Sequence, residues 1–140
     1  MDEQLALAPQ PSLTRIGELA ARLTSTGMQV EVTIEGEPVE LPPGIDVSAY
    51  RIVQEALTNA LKHAGHAEAE VVVRYALSAL ELEVVDNGPG KPPTVNGSGH
   101  GLIGMRERVA LYGGELEANT RAQGGYAVRA RLPLTRGASR

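Results

Sequence analysis

Cysteine, phenylalanine and tryptophan are all absent from the 140 residues, and each absence narrows what the chain can be. Without cysteine there are no disulfides, thiolate nucleophiles or cysteine-based zinc sites. The three histidines are scattered without His-x-x-x-His spacing, so we do not expect a structural metal. Without phenylalanine and tryptophan, the core must come from Leu, Val, Ile and Ala. The four tyrosines are then the only large rings.

Long apolar runs and excess positive charge are also missing. No apolar run approaches the roughly 20 residues that span a bilayer, and the N-terminus does not resemble a signal peptide. The formal net charge is −4, which argues against a surface for duplex nucleic acid. A hydrophobic content of 42% fits one globular domain with a sizeable core. We expect a cytoplasmic protein with no membrane contact and no nucleic-acid partner.

Composition along the chain predicts three parts. Residues 1–12 contain two prolines and no periodicity, so we expect a disordered leader or the remnant of a linker. Residues 13–134 carry the regular patterns and form the predicted domain. Residues 135–140 are polar and predicted to be a frayed tail.

Hydrophobic periodicity predicts three helices and at least five strands. Ser12 or Thr14 can cap a first helix that ends at Gly27. A central helix is predicted to begin near Asp46 or Ser48 and to end at Gly65. The predicted strands are 28–35, 70–76, 80–85, 115–121 and 126–132, with a possible short strand at 39–41, and the third helix covers 102–111. The order indicates an α+β fold, with mostly antiparallel neighbours and the helices on one face of the sheet.

The central helix combines an apolar stripe with a cluster of polar groups. At roughly 100° per residue, its second face brings together Arg51, Glu55, Asn59, Lys62 and His63. Ile52 lies among them, which indicates that this face is partly covered. An ordinary solvated surface remains the alternative.

Residues 87–99 form a long segment rich in Gly and Pro, which predicts a lid over a binding site. The stretch 99–104 then matches G-x-G-x-x-G, but it follows a loop and lacks the βαβ context of a dinucleotide-binding fold. Glycines at the start of a helix still let backbone N–H groups approach an anion. Phosphate binding therefore remains a prediction, whereas a Rossmann fold does not.

Three segments together resemble a known family. Residues 55–64 (EALTNALKHA) resemble the N box, 86–90 (DNGPG) the G1 box and 99–108 (GHGLIGMRER) the G2 box of GHKL ATPases, in the same order. The flanking residues are similar to histidine kinases of the NarX and DesK class, which pair with LuxR/NarL-type response regulators. The resemblance covers about residues 13–134. It implies a Bergerat-type two-layer α/β sandwich, a mixed five-stranded sheet with three helices on one face.

The resemblance also implies a role for each site residue, with ATP and Mg²⁺ as ligands. Asn59 would ligate Mg²⁺ and Glu55 would act as a catalytic base or orient water or metal, unless it is a solvated helix carboxylate. Lys62 and His63 would neutralise phosphate, or are surface charges. Asp86 would accept a hydrogen bond from the adenine amino group, or simply begin a turn. The remaining nucleotide-binding residues would be Gly88 and Gly90 at the base, and Gly99, His100, Gly101, Leu102 and Gly104 at the phosphates.

One part of a histidine kinase has no counterpart in the sequence. No histidine precedes Tyr50, so the phosphoacceptor histidine and its dimerisation domain are expected on another part of a larger kinase. We expect that dimerisation domain and a LuxR/NarL-type regulator as partners, and the isolated domain as a monomer. Two alternatives remain: a stand-alone serine kinase of the anti-sigma-factor type, and a nucleotide-binding module without catalysis.

Overall fold

The computed structural model describes residues 11–64, 68–88, 98–122 and 124–134. After a short 3-10 helix at Leu13–Arg15, the described chain forms three α-helices and five strands. In chain order these are α1 (Ile16–Thr24), β1 (Gln29–Gly36), α2 (Pro43–Ala64), β2 (Glu68–Tyr75), β3 (Ala79–Asp86), α3 (Ser98–Leu111), β4 (Glu115–Thr120) and β5 (Tyr126–Pro133).

The five strands form one mixed sheet in the order β1-β2-β3-β5-β4. The edge strand β1 runs parallel to β2, and the other three pairs are antiparallel. The helices contact the sheet in sequence across its width: α1 lies against β1, α2 against the central strands and α3 against β4 and β5. The predicted two-layer α+β fold is confirmed.

Alternating side chains separate the two faces of this sheet. In β3, Leu80, Leu82 and Val84 are buried beneath the helices, whereas the intervening glutamates are only half-buried. The helices complete the core with aliphatic side chains, among them Leu19 of α1, Val53 and Leu57 of α2. This burial supplies the main stabilisation, since each buried aliphatic side chain contributes about 1.5–3 kcal/mol.

The helix α2 begins earlier than its sequence pattern predicts. Its first residue is Pro43, and the N–H of Asp46 donates to the carbonyl of Pro42 (2.9 Å). Proline suits the first helical turn, where its missing N–H would have no partner. The predicted strand at 39–41 is wrong, because within the described residues Val39 and Leu41 pack against the core without joining a strand.

The N-terminal end of the fold is fastened to the start of α2. Ser12 caps the 3-10 helix by accepting from Thr14 N–H (3.2 Å), as predicted. The carboxylate of Asp46 accepts from the Ser12 hydroxyl (2.7 Å) and from the Leu13 N–H (2.9 Å). Ser12, the last residue of the predicted leader, is therefore hydrogen-bonded to the start of α2. Residues 1–10 and 135–140 lie outside the described residues.

Among the described helices, none is both long and apolar enough to cross a bilayer.

Candidate functional site

Asp86 is the last residue of β3 and lies on the helix-covered face, because it continues the buried alternation of Leu82 and Val84. It is only 9% exposed. Its Oδ1 accepts a hydrogen bond from the N–H of Gly88 (2.9 Å), which fixes the orientation of the carboxylate. Its second oxygen, Oδ2, accepts nothing from any described residue. One carboxylate oxygen thus has capacity for a further donor.

A row of residues crosses the sheet at this point. Pairing places Ala69 of β2 and Tyr126 of β5 on either side of Asp86, and Thr120 of β4 beyond Tyr126. Residues directly opposite on adjacent strands point to the same face. Ala69 is buried and Tyr126 is half-buried, so a small apolar residue, a carboxylate and a phenol share one edge of the helix-covered face.

Helix α3 closes one side of this row. Burial raises the pKa of the Tyr126 phenol, and the nearby Arg106 cation partly offsets that effect. Arg106 also donates from Nε to the carbonyl of Leu116 in β4 (3.3 Å). This helix therefore brings positive charge close to the end of the sheet that holds Asp86.

Asn59 is the most unusual polar residue of α2. Its side chain is buried, with 5% of the residue exposed, yet neither the amide nitrogen nor the amide oxygen has a partner among the described residues. An unpaired buried amide costs about 1–3 kcal/mol. Such a group in a native fold calls for an explanation, and a ligand is one.

The face of α2 that holds Asn59 is covered, as Ile52 indicated. Ile52 is 1% exposed and Ser48, one turn earlier, also has a buried hydroxyl without a described partner. Helix α3 packs beside α2. Their contact is close at one end, since a Cβ at Gly44 would overlap the Tyr112 hydroxyl.

The other predicted residues of α2 differ in exposure. Glu55, one turn before Asn59, is half-buried, whereas Arg51 and Lys62 are exposed. His63 belongs to the last turn of the helix, but its side chain lies outside the described part. Among the predicted residues of this helix whose side chains are described, Glu55 and Asn59 are therefore the two that are at least half-buried.

The G2-like glycines lie inside a helix and not before it. Because α3 begins at Ser98, Gly99 and Gly101 occupy its first turn and Gly104 its second. A helix leaves only its first four N–H groups without a partner, here those of residues 98–101. The N–H groups of Leu102 and Gly104 fall at positions that the helix itself uses. A Cβ at Gly104 would meet no protein atom within 4 Å, so packing among the described residues does not require glycine there.

Several predicted features lie outside the described residues. These are Gly90, most of the predicted lid at 87–99, and the side chains of His100 and Leu102. Their assignments stay predictions.

Sequence reasoning missed two neighbours of Asp86. The sequence predicts Tyr126 only as one of the large rings, and Arg121 only as the last residue of the strand 115–121. Arg121 donates from Nη1 to the main-chain carbonyl of Asp86 (3.1 Å). Tyr126 and Arg121 are each at least 35 positions from Asp86 in the sequence. Only the pairing of the strands could have indicated that they lie beside it.

The comparison with protein families identifies the class of this domain. The family model described as "Histidine kinase-, DNA gyrase B-, and HSP90-like ATPase" matches residues 44–136, and the chain belongs to that family. The predicted GHKL membership is thereby confirmed, and it implies a nucleotide substrate.

The similar proteins include sensor histidine kinases. The chain is 31% identical over 110 residues to the sensor histidine kinase LnrJ of Bacillus subtilis (strain 168), covering 79% of this chain and 27% of that protein. It is 32% identical over 111 residues to the histidine-protein kinase/phosphatase DegS of Brevibacillus brevis, covering 79% and 29%. The chain thus spans less than a third of either relative.

Solved structures support the same fold. The Erythrobacter litoralis EL346 blue-light activated histidine kinase superimposes with a TM-score of 0.69 at 24% identity, covering 89% of this chain and 46% of that one. The catalytic domain of histidine kinase ThkA gives 0.68 at 16% identity, covering 87% and 93%. At these identities the likeness establishes the architecture.

Proposed function

We propose that this chain is the ATP-binding catalytic domain of a two-component sensor histidine kinase. It holds Mg-ATP so that the γ-phosphoryl group can pass to a histidine on a separate dimerisation domain. The domain spans residues 13–134 and acts in the cytoplasm as a monomer when isolated. Its family membership and its two sensor-kinase relatives support this assignment.

The buried amide of Asn59 is the observation that carries the proposal. Its oxygen has no partner among the described residues, so a metal ion can take it as a ligand without breaking a bond within the described fold. Mg²⁺ prefers oxygen ligands and keeps several waters while binding phosphate. One amide oxygen, waters and phosphate oxygens are therefore a suitable ligand set.

Glu55 lies one helical turn from Asn59 and is half-buried, which suits a base that acts beside the metal. In the proposed reaction Glu55 would accept the proton of the attacking imidazole, or would orient a water if Mg²⁺ is bound. Lys62 and His63 follow on the same helix and neutralise phosphate charge. The free N–H groups at the start of α3 bind the phosphates, as helix N-termini do.

Asp86 provides the selectivity for adenine. With Oδ1 held by Gly88, Oδ2 accepts from the adenine amino group, whereas guanine presents a carbonyl at the same position. Tyr126 and Ala69 flank the base on the sheet. Gly90 remains a proposed base-contact residue.

The first experiment measures nucleotide binding by calorimetry, with ATP and GTP, in Mg²⁺ and in EDTA. We expect ATP to bind more tightly than GTP, and Mg²⁺ to raise the affinity for ATP. Equal affinity for ATP and GTP would remove Asp86 from its role. An affinity for ATP that is the same in EDTA would remove Asn59 from its role.

The second experiment follows phosphoryl transfer from γ-labelled ATP. The chain alone should not label itself, whereas a dimerisation domain from a related sensor kinase added in trans should become labelled on histidine. Stoichiometric self-labelling that is lost in His66→Ala would contradict the proposal. Transfer to a serine of another protein would favour the anti-sigma-factor alternative, and binding without any transfer would favour a non-catalytic module.

Glu55→Gln separates catalysis from binding. The variant should bind Mg-ATP as the wild type does, but transfer the phosphoryl group in trans at least about a hundredfold more slowly, the usual lower bound for losing a general base. Arg51→Gln on the exposed part of the same helix is the matched control for binding. Further downstream, we propose a LuxR/NarL-type regulator as acceptor of the phosphoryl group, which leaves the phosphohistidine and frees its imidazole.

A further inference from the structure

The turn that joins β4 to β5 contacts the last residue of β3. The N–H of Arg121 donates to the carbonyl of Gly125 (2.9 Å), and the N–H of Gly124 donates to the carbonyl of Arg121 (3.1 Å). These bonds make a tight turn. From it the Arg121 side chain extends to the main-chain carbonyl of Asp86, to which Nη1 donates at 3.1 Å.

Gly125 packs against the same carbonyl. A Cβ at this position would overlap the Asp86 oxygen, and Gly125 has a φ of 95°, a conformation that other residues adopt only with strain. The main chain of Asp86 is therefore enclosed by the turn on one side and held by a guanidinium donor. The close approach of Gly125 leaves little room for another main-chain conformation of Asp86 on that side.

The residue after Asp86 is fixed from the opposite side. The side-chain oxygen of Asn87 accepts from the N–H of Glu68 (2.8 Å), and the Asn87 N–H donates to the carbonyl of Glu68 (3.1 Å). Contacts from two other parts of the chain, the turn at 121–125 and Glu68, together with the internal Gly88 bond to Oδ1, hold the segment 86–88. Only the Arg121 contact comes from a charged side chain.

Arg121 has an electrostatic reason to stay in place. It lines a cavity of about 300 Å³ on the open face of the sheet, together with Glu31, Glu68 and Glu70. Register places Glu31 directly opposite Glu70. Three carboxylates around one guanidinium favour the cation there, although none lies within ion-pair distance of it among the described residues.

We propose that Arg121 is a positioning residue for adenine recognition, acting through Asp86. By holding the Asp86 main-chain carbonyl it fixes the position of the residue whose carboxylate the Gly88 N–H orients, and so the strength with which Oδ2 binds the adenine amino group. Arg121 itself touches no nucleotide. This inference rests on the proposed function, because it assigns the selectivity of the same site.

The test compares calorimetric affinities for ATP and GTP in Arg121→Met, which keeps the aliphatic stem and removes the donor. We expect the affinity for ATP to fall about three- to tenfold, the usual worth of one hydrogen bond, with little change for GTP. Arg121→Lys should restore most of the ATP preference, since lysine can still donate to the carbonyl. Arg129→Met, an exposed arginine of β5 paired with Glu83, is the control and should bind as wild type.

A double-mutant cycle decides whether the effect passes through Asp86. In the Asp86→Asn background, Arg121→Met should change ATP affinity less than twofold. An undiminished loss in that background, or equal losses for ATP and GTP in the single variant, would mean that Arg121 only stabilises the fold. If Arg121→Met does not fold, the Lys variant alone still tests the idea, because an ATP-to-GTP ratio at the Asp86→Asn level would contradict it.

Failure of the inference is distinguishable from failure of the proposed function. A wild-type chain that binds neither nucleotide overturns both. A wild-type chain that prefers ATP, with Arg121→Met unchanged, overturns only the role of Arg121.

Discussion

Polar side chains differ in burial and in hydrogen bonding between the two faces of the sheet. On the open face, charged side chains are exposed or half-buried and several pair with one another, as where Arg74 bridges Glu35 (2.7 Å) and Glu81 (2.9 Å). On the helix-covered face, Asn59 and Asp86 are buried and keep hydrogen-bonding capacity that the described residues do not fill. Paired charges in water contribute little, whereas unfilled buried groups are costly. The functional site is therefore marked by a few buried polar groups and not by the density of charge.

The largest expected effect of this difference is at Asp86. Asp86→Asn keeps an oxygen for the Gly88 N–H but loses the charge that binds the adenine amino group. We expect ATP affinity to fall by about 1.5–3 kcal/mol, roughly ten- to hundredfold in Kd, with GTP hardly affected. Calorimetric titration with ATP and with GTP measures both affinities. Glu83→Gln, on the open face of the same strand, is the control, and an equal loss there would break the contrast between the faces.

Asn59→Ala should separate function from stability. We expect the Mg²⁺-dependent part of the ATP affinity to disappear, while the free energy of unfolding stays the same or rises by up to about 1–3 kcal/mol, because an unpaired buried amide is removed. Leu57→Ala on the same helix should instead cost about 2–5 kcal/mol. Denaturant unfolding with nucleotide-free protein compares the two. A loss at Asn59 as large as that at Leu57 would mean that the amide has a partner within the protein.

Alkaline pH should destabilise the helix-covered face through its tyrosines. Burial raises the pKa of Tyr75 and of Tyr126 above the usual value of about 10. The fold therefore favours the neutral phenols, and this stabilisation is complete below pH about 10 and is lost as pH rises through the folded pKa.

The two tyrosines should not contribute equally. Asp46 adds to the effect of burial at Tyr75, whereas Arg106 opposes it at Tyr126. Tyr75→Phe should thus flatten the alkaline fall of stability more than Tyr126→Phe. Thermal unfolding between pH 8 and 11, a range around the phenol pKa of about 10, tests the order. The reverse order would contradict it.

The smallest effect is expected on the open face. Arg74→Ala removes two exposed ion pairs but should change the free energy of unfolding by less than about 1 kcal/mol, and by less still at high salt. The hydrogen bonds that Arg74 donates to Glu35 and Glu81 raise the pKa of its guanidinium above the usual value. Nucleotide affinity should not change. A clear loss of ATP binding would mean that the open face takes part in the site.

Local patterns were enough to predict most elements. The Val- and Leu-rich stretches 70–76 and 80–85 predicted the strands β2 and β3, and the glycine pair at 113–114 marks the end of α3. The start of α2 was misplaced because Pro42 and Pro43 indicate a loop as readily as a first helical turn. The strand predicted at 39–41 was wrong because a strand needs a partner, which two apolar residues in isolation do not reveal.

The candidate site also contains residues that the sequence indicated and residues that only the tertiary structure revealed. Ile52 among polar residues correctly indicated a covered face, and the resemblance pointed to Asn59 and Asp86. The burial of Asn59 is a property of the folded chain, in which α2 packs beside α3 although α3 lies far along the sequence. Tyr126 and Arg121 could not be predicted, because they approach Asp86 only through the pairing of β3 with β5 and through the turn that follows β4.

The sequence by itself determined the class of fold, the family and the residue types of the site, because periodicity and short motifs are local properties of the chain. The tertiary structure decided which polar groups lose their water and which carboxylate oxygen stays available. It also decided which side chains hold Asp86 in place. Those properties depend on burial and on contacts between distant segments, and they arise only when the helices close over one face of the sheet.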